Sequence, residues 1–404
     1  MATSVGVGES KQSNPFEAGV EAAKKALEQA KIQKCDFVFL FATAGYDQEE
    51  MLKGVRSVTG SAPLSGCSGA GIITQSGPAG EGMFTNKGLV KGEDTLAVMV
   101  FSSDTINFFN CYSEDLRKNS TKAGIEIGES IKKEKIENPL TLLMFPDGMT
   151  VNSKELFKGI DSAIEKPIPF CGGTAGENLT FIKTYQYHND KVLSDGVSCV
   201  LISGKVDIEV GVSHGCIPIS LARTITKAEE NNIYEIDNKP AWDFFKEYLP
   251  EDLGDFSAEL VTFFVLGEKV SAELENDYGK YITRVPLNQN PDGSLYVNTV
   301  MPTGTKVHMM RRDEDKVSNG AKDLARKLYR KHANKNPIAV LQFDCAGRGR
   351  RLFGDDTKRL GVDVIQDVFG KEVPWLGFYS YGEIAPIGKQ NHVHNVTVVL
   401  LLIY

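Results

Sequence analysis

An arginine in a glycine loop and a glutamate in an aromatic segment are the residues of this sequence with the clearest capacity for chemistry. Arg348 stands in the segment CAGRG, which begins at Cys345, just after the apolar segment AVLQF. A guanidinium group on a glycine loop can hold a carboxylate or phosphate through two parallel hydrogen bonds. Glu383 lies in GFYSYGEIAP, where burial demands a cationic or hydrogen-bonding partner. That partner is either Arg348 itself or the ammonium group of a ligand, and the second arrangement would suit an α-amino acid.

Short glycine-containing turns are the second chemical feature, and they lie at residues 67–71, 172–176 and 381–382. Glycine lets exposed backbone N–H groups approach a ligand closely, as in anion-binding nests. The alternative is that these turns only join two strands at the boundary of a repeat. Glu177 and Glu383 follow the later turns whereas Ile72 follows the first, which favours ligand contact in the later two. The spacing matches neither a dinucleotide fingerprint nor a P-loop.

Histidines stand just before the last apolar segment. His392 and His394 are two residues apart and could share one face of a strand, but the sequence places no third metal ligand beside them. We therefore expect His394 and Asn395 to form hydrogen bonds with the neighbouring turn, and we expect no metal.

Three cysteines, Cys67, Cys171 and Cys345, lie near the glycine-rich loops. Backbone donors there could lower the pKa of a thiol and make it a nucleophile, which leaves thiol catalysis as an alternative. The more ordinary role is that of a small buried apolar side chain.

The sequence predicts no catalytic residue, no metal and no cofactor. The predicted ligand-binding residues are Gly173, Thr174, Gly176, Glu177, Cys345, Gly347, Arg348, Tyr379, Tyr381, Gly382, Glu383, His394 and Asn395.

The elements that must position these residues come from an internal repeat of about a hundred residues. The segment that starts at Phe37 resembles the one that starts at Thr141, with Cys67 aligned to Cys171, and a more divergent copy follows Ala339. Each copy predicts a strand, a helix, a strand, a helix, a strand, a glycine turn and a closing β-branched strand. This alternation predicts an α/β fold with mixed layered sheets and helices, built from copies at residues 3–101, 105–203 and 305–404.

Residues 204–304 leave two interpretations open. They have the length of a degenerate fourth copy, with a central strand in the segment AELVTFFVLGEK. The segment NQNPDG instead predicts the turn of a β-hairpin. We place a boundary near residue 235, between a region 1–235 with two repeats and a region 236–404 with a hairpin-rich insert and the third repeat. A helix should begin at Pro240.

Apolar residues at spacings of three, four and seven predict the buried face of the first helix of each copy. These residues are Phe16, Val20 and Leu27 in the first copy, Ile127 and Ile131 in the second, and Val317, Ala321, Leu324 and Leu328 in the third.

Composition excludes several classes of protein. The chain has 404 residues, is 41% hydrophobic and carries a net charge of −8, so neither a nucleic-acid nor an anionic-membrane footprint is present. Its apolar runs are shorter than the roughly 20 residues that span a bilayer, and its first residues do not resemble a targeting signal. Seven cysteines, scattered singly, favour reduced thiols. We expect a cytoplasmic protein whose partners are small molecules or proteins.

Several segments together resemble the FIST domain, a two-part sensory module found alone, fused to bacterial signalling domains, and in an F-box protein of animals. The first part is represented by SGCSGAGI at Ser65 and FCGGTAGEN at Phe170. The second part is represented by residues 225–241, CAGRG at Cys345, GFYSYGEIAP at Gly377 and HNVT at His394. Ile72 departs from the pattern, because the later turns carry glutamate at this point.

The resemblance implies a sensor that binds an amino acid or a related carboxylate and signals through a separate protein, since the sequence contains no segment that resembles a kinase, cyclase or F-box. Its pocket would lie between the two parts, lined by residues 172–177, 345–348 and 379–383. Two alternatives remain open at this point. One is an enzyme that uses Cys345, Cys171 or Glu383 on a small amide or amino-acid-like substrate. The other is a protein-interaction module of the kind found in the F-box relative.

Overall fold

The computed structural model describes residues 3–85, 88–249, 260–297 and 299–404. The first repeat is built from helices α1 (Pro15–Ala30) and α2 (Gln48–Thr59) and strands β1 (Ser4–Ser10), β2 (Phe37–Thr43), β3 (Leu64–Gly69), β4 (Ile72–Thr74), β5 (Gly77–Ala79), β6 (Met83–Thr85), β7 (Gly88–Val90) and β8 (Leu96–Ser102).

The second repeat has the same plan. It is built from helices α3 (Leu116–Glu134) and α4 (Ser153–Ala163) and strands β9 (Ile106–Ser113), β10 (Pro139–Pro146), β11 (Phe170–Gly173), β12 (Gln186–His188), β13 (Lys191–Leu193) and β14 (Val197–Gly204).

Strand β15 (Ile208–Ser213) is followed by an inserted region. That region is built from β16 (Ile217–Pro218), β17 (Arg223–Glu229), β18 (Asn232–Ile236), β19 (Lys239–Pro240), α5 (Ala241–Lys246), α6 (Leu260–Phe263), β20 (Phe264–Lys269), α7 (Glu275–Tyr278), β21 (Tyr281–Arg284), β22 (Pro286–Gln289), β23 (Leu295–Val297) and β24 (Lys306–Arg311).

The third repeat completes the chain. It is built from α8 (Glu314–Lys331), β25 (Ala339–Cys345), α9 (Gly349–Phe353), a 3₁₀ turn (Gly354–Asp356), a π-helical segment (Thr357–Asp363), α10 (Val364–Phe369), β26 (Trp375–Ser380), β27 (Glu383–Ile387), β28 (Gln390–His394) and β29 (Val398–Ile403).

The central strands of the three predicted copies lie in three six-stranded sheets, and the three sheets have the same strand plan. The orders are β1-β8-β2-β3-β12-β13, β9-β14-β10-β11-β27-β28 and β15-β29-β25-β26-β4-β5. The two central strands of each sheet are parallel and their neighbours are antiparallel. The predicted mixed α/β fold is confirmed.

The repeats exchange hairpins in a closed ring. Hairpin β12–β13 of the second repeat completes the first sheet, β27–β28 of the third completes the second sheet, and β4–β5 of the first completes the third sheet. Every repeat therefore supplies one wall of a junction with another repeat. We name the junctions after the sheet that receives the hairpin: the first, second and third junctions.

The inner faces of the three sheets meet in one apolar core. Phe41, Phe145 and Phe343, one from the central strand of each sheet, lie with ring centroids 5.3 to 6.5 Å apart. The outer faces are covered by helices, with α1 and α2 on the first sheet, α3 and α4 on the second, and α8 and α10 on the third. This arrangement leaves the strand ends and the junctions as the places where a site can form.

A glycine at the same position of each sheet lets the two parallel strands approach closely. The strand registers place Gly66, Gly172 and Gly377 opposite Leu40, Met144 and Gln342. A Cβ atom at these glycines would lie 1.8, 2.2 and 2.1 Å from the carbonyl oxygen of the opposite residue. The same registers align Cys67 with Gly173, so the sequence alignment of Cys67 with Cys171 is wrong by two residues.

The buried face of α1 differs from the predicted one. Phe16 is 37% exposed and Val20 and Leu27 are only half-buried, whereas the buried positions are mostly alanine. The cause lies in β1, where a Cβ on Gly6 would come within 2.2 Å of the Ala26 carbonyl oxygen. Helix and strand are so close that only small side chains fit between them. In the second and third repeats the predicted apolar residues are buried.

The inserted region forms a separate antiparallel sheet in the order β21-β20-β24-β17-β18-β23-β22. The strand that a fourth copy would place at its centre is β20, which lies next to the edge of this sheet. Asn290 to Ser294 form the predicted hairpin turn, with Gly293 at a φ of 81°. Helix α5 begins at Ala241, with Pro240 as the preceding residue. Strand β15, which precedes the insert, pairs with β29 and belongs to the third sheet.

Within the ranges that the structure describes, no helix combines the length and the apolar character needed to cross a membrane.

Candidate functional site

The three glycine turns meet near the centre of the molecule and form hydrogen bonds with one another. The backbone bonds run from Ala70 N to Tyr379 O, from Tyr379 N to Gly71 O, from Gly176 N to Ser68 O and from Thr174 N to Gly382 O, at 2.8 to 2.9 Å. These N–H groups are therefore used to hold the repeats together rather than being free for a ligand.

The predicted glycines act as spacers in this contact. A Cβ on Gly173 would lie 2.9 Å from the Ser380 Cβ, and one on Gly176 would lie 3.1 Å from the Tyr379 carbonyl oxygen. At Gly382 the nearest atom is Cγ1 of Val393, at 3.3 Å. Because these glycines have no side chain, the turns can pack closely against one another.

The carboxylate of Glu177 accepts hydrogen bonds mainly from its own loop. Its carboxylate accepts hydrogen bonds from the backbone N–H groups of Thr180 and Phe181, from the Thr180 hydroxyl and from the Tyr381 hydroxyl. Glu177 and Tyr381, both predicted to bind a ligand, are satisfied by each other.

The strand ends at the three junctions are equivalent. The backbone N–H groups of Thr43, Asp147 and Cys345 donate hydrogen bonds to the carbonyl oxygens of Thr95, Gly196 and Thr397, respectively. Three residues further along the chain stand Tyr46, Thr150 and Arg348, one at each junction. The junctions differ in what these side chains do.

The first junction is closed by its own side chains. The Tyr46 hydroxyl lies 2.9 Å from the Gln12 carbonyl oxygen, and the Gln48 amide donates to the Tyr46 carbonyl oxygen at 2.8 Å. Tyr187 of the exchanged hairpin donates its hydroxyl hydrogen to Oε1 of Gln48.

The third junction holds Arg348 in a buried ion pair with Asp344. Nε of Arg348 donates to Oδ1 of Asp344 at 2.6 Å, and only 1% and 2% of the two side chains are exposed. The other carboxylate oxygen accepts from Nε2 of Gln342 at 3.0 Å. Nη1 and Nη2 of Arg348 have no hydrogen-bond partner in the described part of the chain. A guanidinium group loses strong hydration on burial, so two unpaired donors are costly unless an acceptor reaches them.

Further positive charge surrounds Arg348. Arg312, 3% exposed, donates from Nη2 to the Gly347 carbonyl oxygen at 2.9 Å. Burial lowers the pKa of Arg312, and repulsion from Arg348 and Arg351 lowers it further. Arg351 is only partly exposed. The Tyr379 hydroxyl is buried beside Glu81 and has no well-aligned hydrogen bond to the described residues.

Glu383 is fully buried but is not paired with Arg348, which corrects that alternative. Its Oε1 lies 2.7 Å from the Ser380 hydroxyl, and its Oε2 accepts from the Thr397 N–H at 3.1 Å and hydroxyl at 2.8 Å. Burial raises the pKa of Glu383 to about 8, despite these hydrogen bonds. Because both carboxyl oxygens are satisfied inside the protein, a ligand ammonium group has no open face of Glu383 to bind.

Glu81 reaches the third junction from the first repeat. Its Oε1 accepts from the backbone N–H of Arg350 at 2.8 Å. Burial raises the pKa of Glu81 to about 8, and the nearby Asp344 raises it further. Because the carboxyl groups of Glu81 and Glu383 are largely protonated near neutral pH, the positive charges of the arginines outnumber the negative charges at the third junction. This junction therefore favours an anion.

His394 forms two hydrogen bonds, with the inserted region and with strand β27 rather than with the neighbouring turn. Nδ1 lies 3.0 Å from the Tyr278 hydroxyl, and Nε2 lies 3.0 Å from the Ala385 carbonyl oxygen. Burial lowers the pKa of His394 to about 3, so the ring is neutral. Both nitrogens are engaged, which leaves His394 no lone pair for a metal. Asn395 is 5% exposed, and its Oδ1 has no hydrogen-bond partner in the described ranges.

The three cysteines near the loops are buried thiols. Burial, reinforced by Glu383, raises the pKa of Cys345 to about 12, and burial also raises the pKa of Cys67 and Cys171. Thiolate formation at neutral pH is therefore strongly disfavoured at each of them, which weakens the alternative of thiol catalysis.

The second junction opens into a cleft of about 1010 Å³ between α4, β28 and the inserted sheet. Gly148 forms part of its lining, and a Cβ there would lie 3.0 Å from the hydroxyl of Thr174. The predicted site is thus divided: Thr174 lies at the second junction, whereas Cys345, Gly347, Arg348 and Tyr379 lie at the third.

Sequence reasoning missed three charged residues at the third junction. Asp344 carried a usable signal, because it is an acidic residue between an apolar strand and a glycine loop. Glu81 and Arg312 carried none, since hairpin exchange and the inserted sheet bring them to Arg348 from distant parts of the chain.

Comparison with known proteins gives a match over most of the chain. The model of the FIST N domain matches residues 36–239, and the model of the FIST C domain matches residues 241–386. An uncharacterised protein of Mycobacterium tuberculosis is 25% identical over 407 residues, which cover 98% of this chain and 99% of the relative. An uncharacterised protein of Methanocaldococcus jannaschii is 22% identical, over 92% of this chain and 73% of the relative.

Two solved structures are similar over nearly the whole chain. A chorismatase has 8% sequence identity and a TM-score of 0.36, covering 100% of this chain and 99% of its own. A cyanuric acid hydrolase from A. caulinodans has 9% identity and a TM-score of 0.37, covering 99% of both chains. At these TM-scores neither likeness carries an argument about function.

Proposed function

The chain belongs to the FIST family, whose domains are of sensor type, and from this premise we propose that it senses a small carboxylate, such as an amino acid, bound at Arg348. The observation that carries the proposal is the state of the Arg348 guanidinium. It is 1% exposed, it uses only Nε in its ion pair, and its two remaining nitrogens have no acceptor in the described residues. Nη1 and Nη2 form the parallel pair of donors that a carboxylate accepts.

The neighbouring groups support an anionic ligand. Arg312 adds a second buried guanidinium, and the raised pKa values of Glu81 and Glu383 reduce the negative charge that a ligand would meet. We assign the carboxylate contact to Arg348, with Tyr379, Gly347 and Cys345 as its surroundings. Asn395, whose Oδ1 has no hydrogen-bond partner in the described residues, remains a proposed contact of this ligand, whereas Thr174 lies at the second junction and is not part of this assignment.

The other predicted residues receive a supporting role in this proposal. Gly173, Gly176 and Gly382 space the turns, Glu177 and Tyr381 fix the adjoining loop, and His394 anchors β28. Transfer of the signal to a separate cytoplasmic protein remains part of the proposal.

The test is thermal stabilisation by a panel of the standard amino acids together with acetate, succinate and glutarate. We expect a rise in Tm with at least one compound, because a ligand at 100 times its Kd adds about 2.7 kcal/mol to the free energy of unfolding. The rise should disappear in Arg348→Gln and be reduced in Arg348→Lys, which keeps the charge but loses the paired donors.

Arg350→Gln is the matched control, because the Arg350 side chain is 35% exposed and pairs with the exposed Asp355. It should retain the full rise in Tm. Stabilisation of equal size in Arg348→Gln, or none from the whole panel in the folded wild-type protein, would contradict the proposal.

A further inference from the structure

The cleft at the second junction is a separate place from Arg348. It lies between α4, β28 and strands β22 and β23 of the inserted sheet. Its volume of about 1010 Å³ is at the upper end of the range for small-molecule pockets. The first junction, by contrast, is filled by Tyr46, Gln48 and Tyr187. The insert therefore turns one of three equivalent junctions into a walled cleft.

Two buried hydroxyl groups, one in the lining of the cleft and one behind Gly148, have no hydrogen-bond partner within the described ranges. Thr174 is 3% exposed, and its hydroxyl lies directly beneath Gly148, which lines the cleft. Thr150 lines the cleft itself, at the position that Arg348 occupies in the third junction. Unpaired buried hydroxyls are rare in folded proteins, because each lost hydrogen bond with water costs about 1–3 kcal/mol. They offer hydrogen bonds to a polar group that enters the cleft.

Positive charge lines the walls beside these hydroxyls. Arg284 is 8% exposed and is held in place by Oε2 of Glu268, at 3.1 Å from Nη2, and by the Val393 carbonyl oxygen, at 3.2 Å from Nη1. Lys154 and Lys158 extend from α4 on the opposite side. Lys158 also lies 3.9 Å from Glu155, in an exposed ion pair. The acidic residues in the lining, Asp161 on α4 itself and Glu230, are fewer than the three basic ones, so the cleft favours an anionic group.

The inserted sheet supplies an apolar wall. Leu287, Tyr296 and Val300 are 52%, 40% and 39% exposed, and all three line the cleft. Large apolar side chains that remain exposed together are typical of binding surfaces. A ligand that fits both walls carries an anionic group on an aromatic or apolar body.

We propose that this cleft is a second binding site, which takes a small organic anion with an aromatic body, either an aryl carboxylate or an aryl phosphate. Its anionic group meets Lys154, Lys158 and the Thr150 and Thr174 hydroxyls. Its ring lies on Leu287, Tyr296 and Val300. The site goes beyond the proposed sensing of a carboxylate at Arg348, because it uses a different junction and different residues.

The probe for this site is 1-anilinonaphthalene-8-sulfonate, an aromatic anion whose fluorescence rises in apolar surroundings. We expect saturable binding to the folded protein, and displacement by benzoate if the site takes carboxylates or by phenyl phosphate if it takes phosphates. Lys158→Gln and Leu287→Ser should each raise the Kd of the probe at least about fivefold, since each removes a contact worth about 1 kcal/mol.

Matched controls use the same substitutions elsewhere. Lys133→Gln lies on the exposed face of α3, and Leu221→Ser replaces a leucine that is 84% exposed outside the cleft; both should leave the Kd within about twofold. Arg348→Gln should also leave it unchanged, which separates this site from the proposed sensor site. Circular dichroism checks that each variant is folded. Absence of binding, absence of displacement by both small anions, or equal losses in the cleft and control variants would overturn the proposal.

Discussion

Arg348 and Asp344 form an ion pair, 2.6 Å from Nε to Oδ1, in which 1% and 2% of the side chains are exposed. The two partners differ in their ability to lose their charge. A carboxyl group can take up a proton, and burial already raises the pKa of Asp344. A guanidinium group keeps its proton at any pH at which the protein is folded. The consequences of removing one partner or the other are therefore unequal.

We expect Asp344→Asn to destabilise the protein more than Arg348→Gln. Asp344→Asn leaves a buried cation without its counter-ion, which costs about 3–5 kcal/mol of unfolding free energy. Arg348→Gln leaves a carboxyl group that can become neutral. Urea unfolding of both variants near neutral pH measures the difference, and losses of equal size would contradict the expectation.

The Arg348→Gln variant should also become more sensitive to high pH. Without its cation, Asp344 has a folded-state pKa still further above its value in the unfolded chain. A group with a raised folded pKa contributes stability at low pH that is lost as the pH rises through that pKa. The deficit of the variant relative to wild type should thus be larger at about pH 8 than at about pH 5, and a constant deficit would argue against a buried carboxylate as the cause.

Glu383 should weaken the wild-type protein as the pH rises. Burial raises its pKa to about 8 from an ordinary 4.5, so its contribution is complete below about pH 4.5 and is lost as the pH passes through about 8. The slope contributed by one such group is at most about 1.4 kcal/mol per pH unit. Glu383→Gln resembles the protonated form, since its amide can donate to Ser380 and its oxygen can accept from Thr397. We expect this variant to match wild type at about pH 5 and to exceed it in stability at about pH 8, as measured by urea unfolding; a variant less stable at both would show that Glu383 acts as a carboxylate.

The Arg348 loop could be predicted from the sequence because its signal is local. A glycine-flanked arginine directly after an apolar strand is visible within seven residues, and the structure places it at the end of β25. The recurring strands and helices of each repeat were likewise predicted from the sequence. The face of α1 was not, because the alanines that pack there are selected by Gly6 and Gly8 on a neighbouring strand.

The surroundings of Arg348 could not be predicted because they depend on long-range pairing. Ile72 pairs with Phe378 across the exchanged hairpin, and this pairing is what carries Glu81 to the N–H of Arg350. Neither local propensity nor a repeat alignment indicates which sheet receives which hairpin. Hairpin exchange likewise places Thr174 beside Gly382 at the second junction, whereas Arg348 lies at the third.

The loop cysteines should react slowly with alkylating reagents. The pKa of Cys345 is raised to about 12 by burial, so almost none of it is thiolate at neutral pH. Cys35 is the more accessible thiol, although burial raises its pKa to about 11. Mass spectrometry after iodoacetamide treatment of the native protein should therefore find any early label on Cys35, with Cys67, Cys171 and Cys345 labelled only after unfolding. Fast labelling of Cys345 would instead revive the alternative of an enzyme with a cysteine nucleophile.

The glycines that join the parallel strands should be the least replaceable residues of the three sheets. In Gly66→Ala and Gly377→Ala the new methyl group would lie 1.8 and 2.1 Å from the carbonyl oxygens of Leu40 and Gln342. These are backbone atoms in the central strand of a sheet, so relief requires the strands themselves to separate, and we expect each variant to lose at least about 3 kcal/mol of unfolding free energy. Gly172→Ala should lose more, because Gly172 also has a φ of 140°.

Gly361→Ala provides the control for these three substitutions. Its Cβ would meet the ring of Phe353 at 3.4 Å and the methyl group of Thr357 at 3.8 Å, which are ordinary contacts, and its backbone is helical. We expect it to be neutral or to gain up to about 1 kcal/mol, since alanine restricts the unfolded chain. Thermal unfolding of the four variants side by side decides the point. If Gly66→Ala and Gly377→Ala behaved like Gly361→Ala, the parallel strands would not be in close contact at these glycines. The strand registers that align the three repeats would then be wrong, and with them the alignment of Thr150 with Arg348.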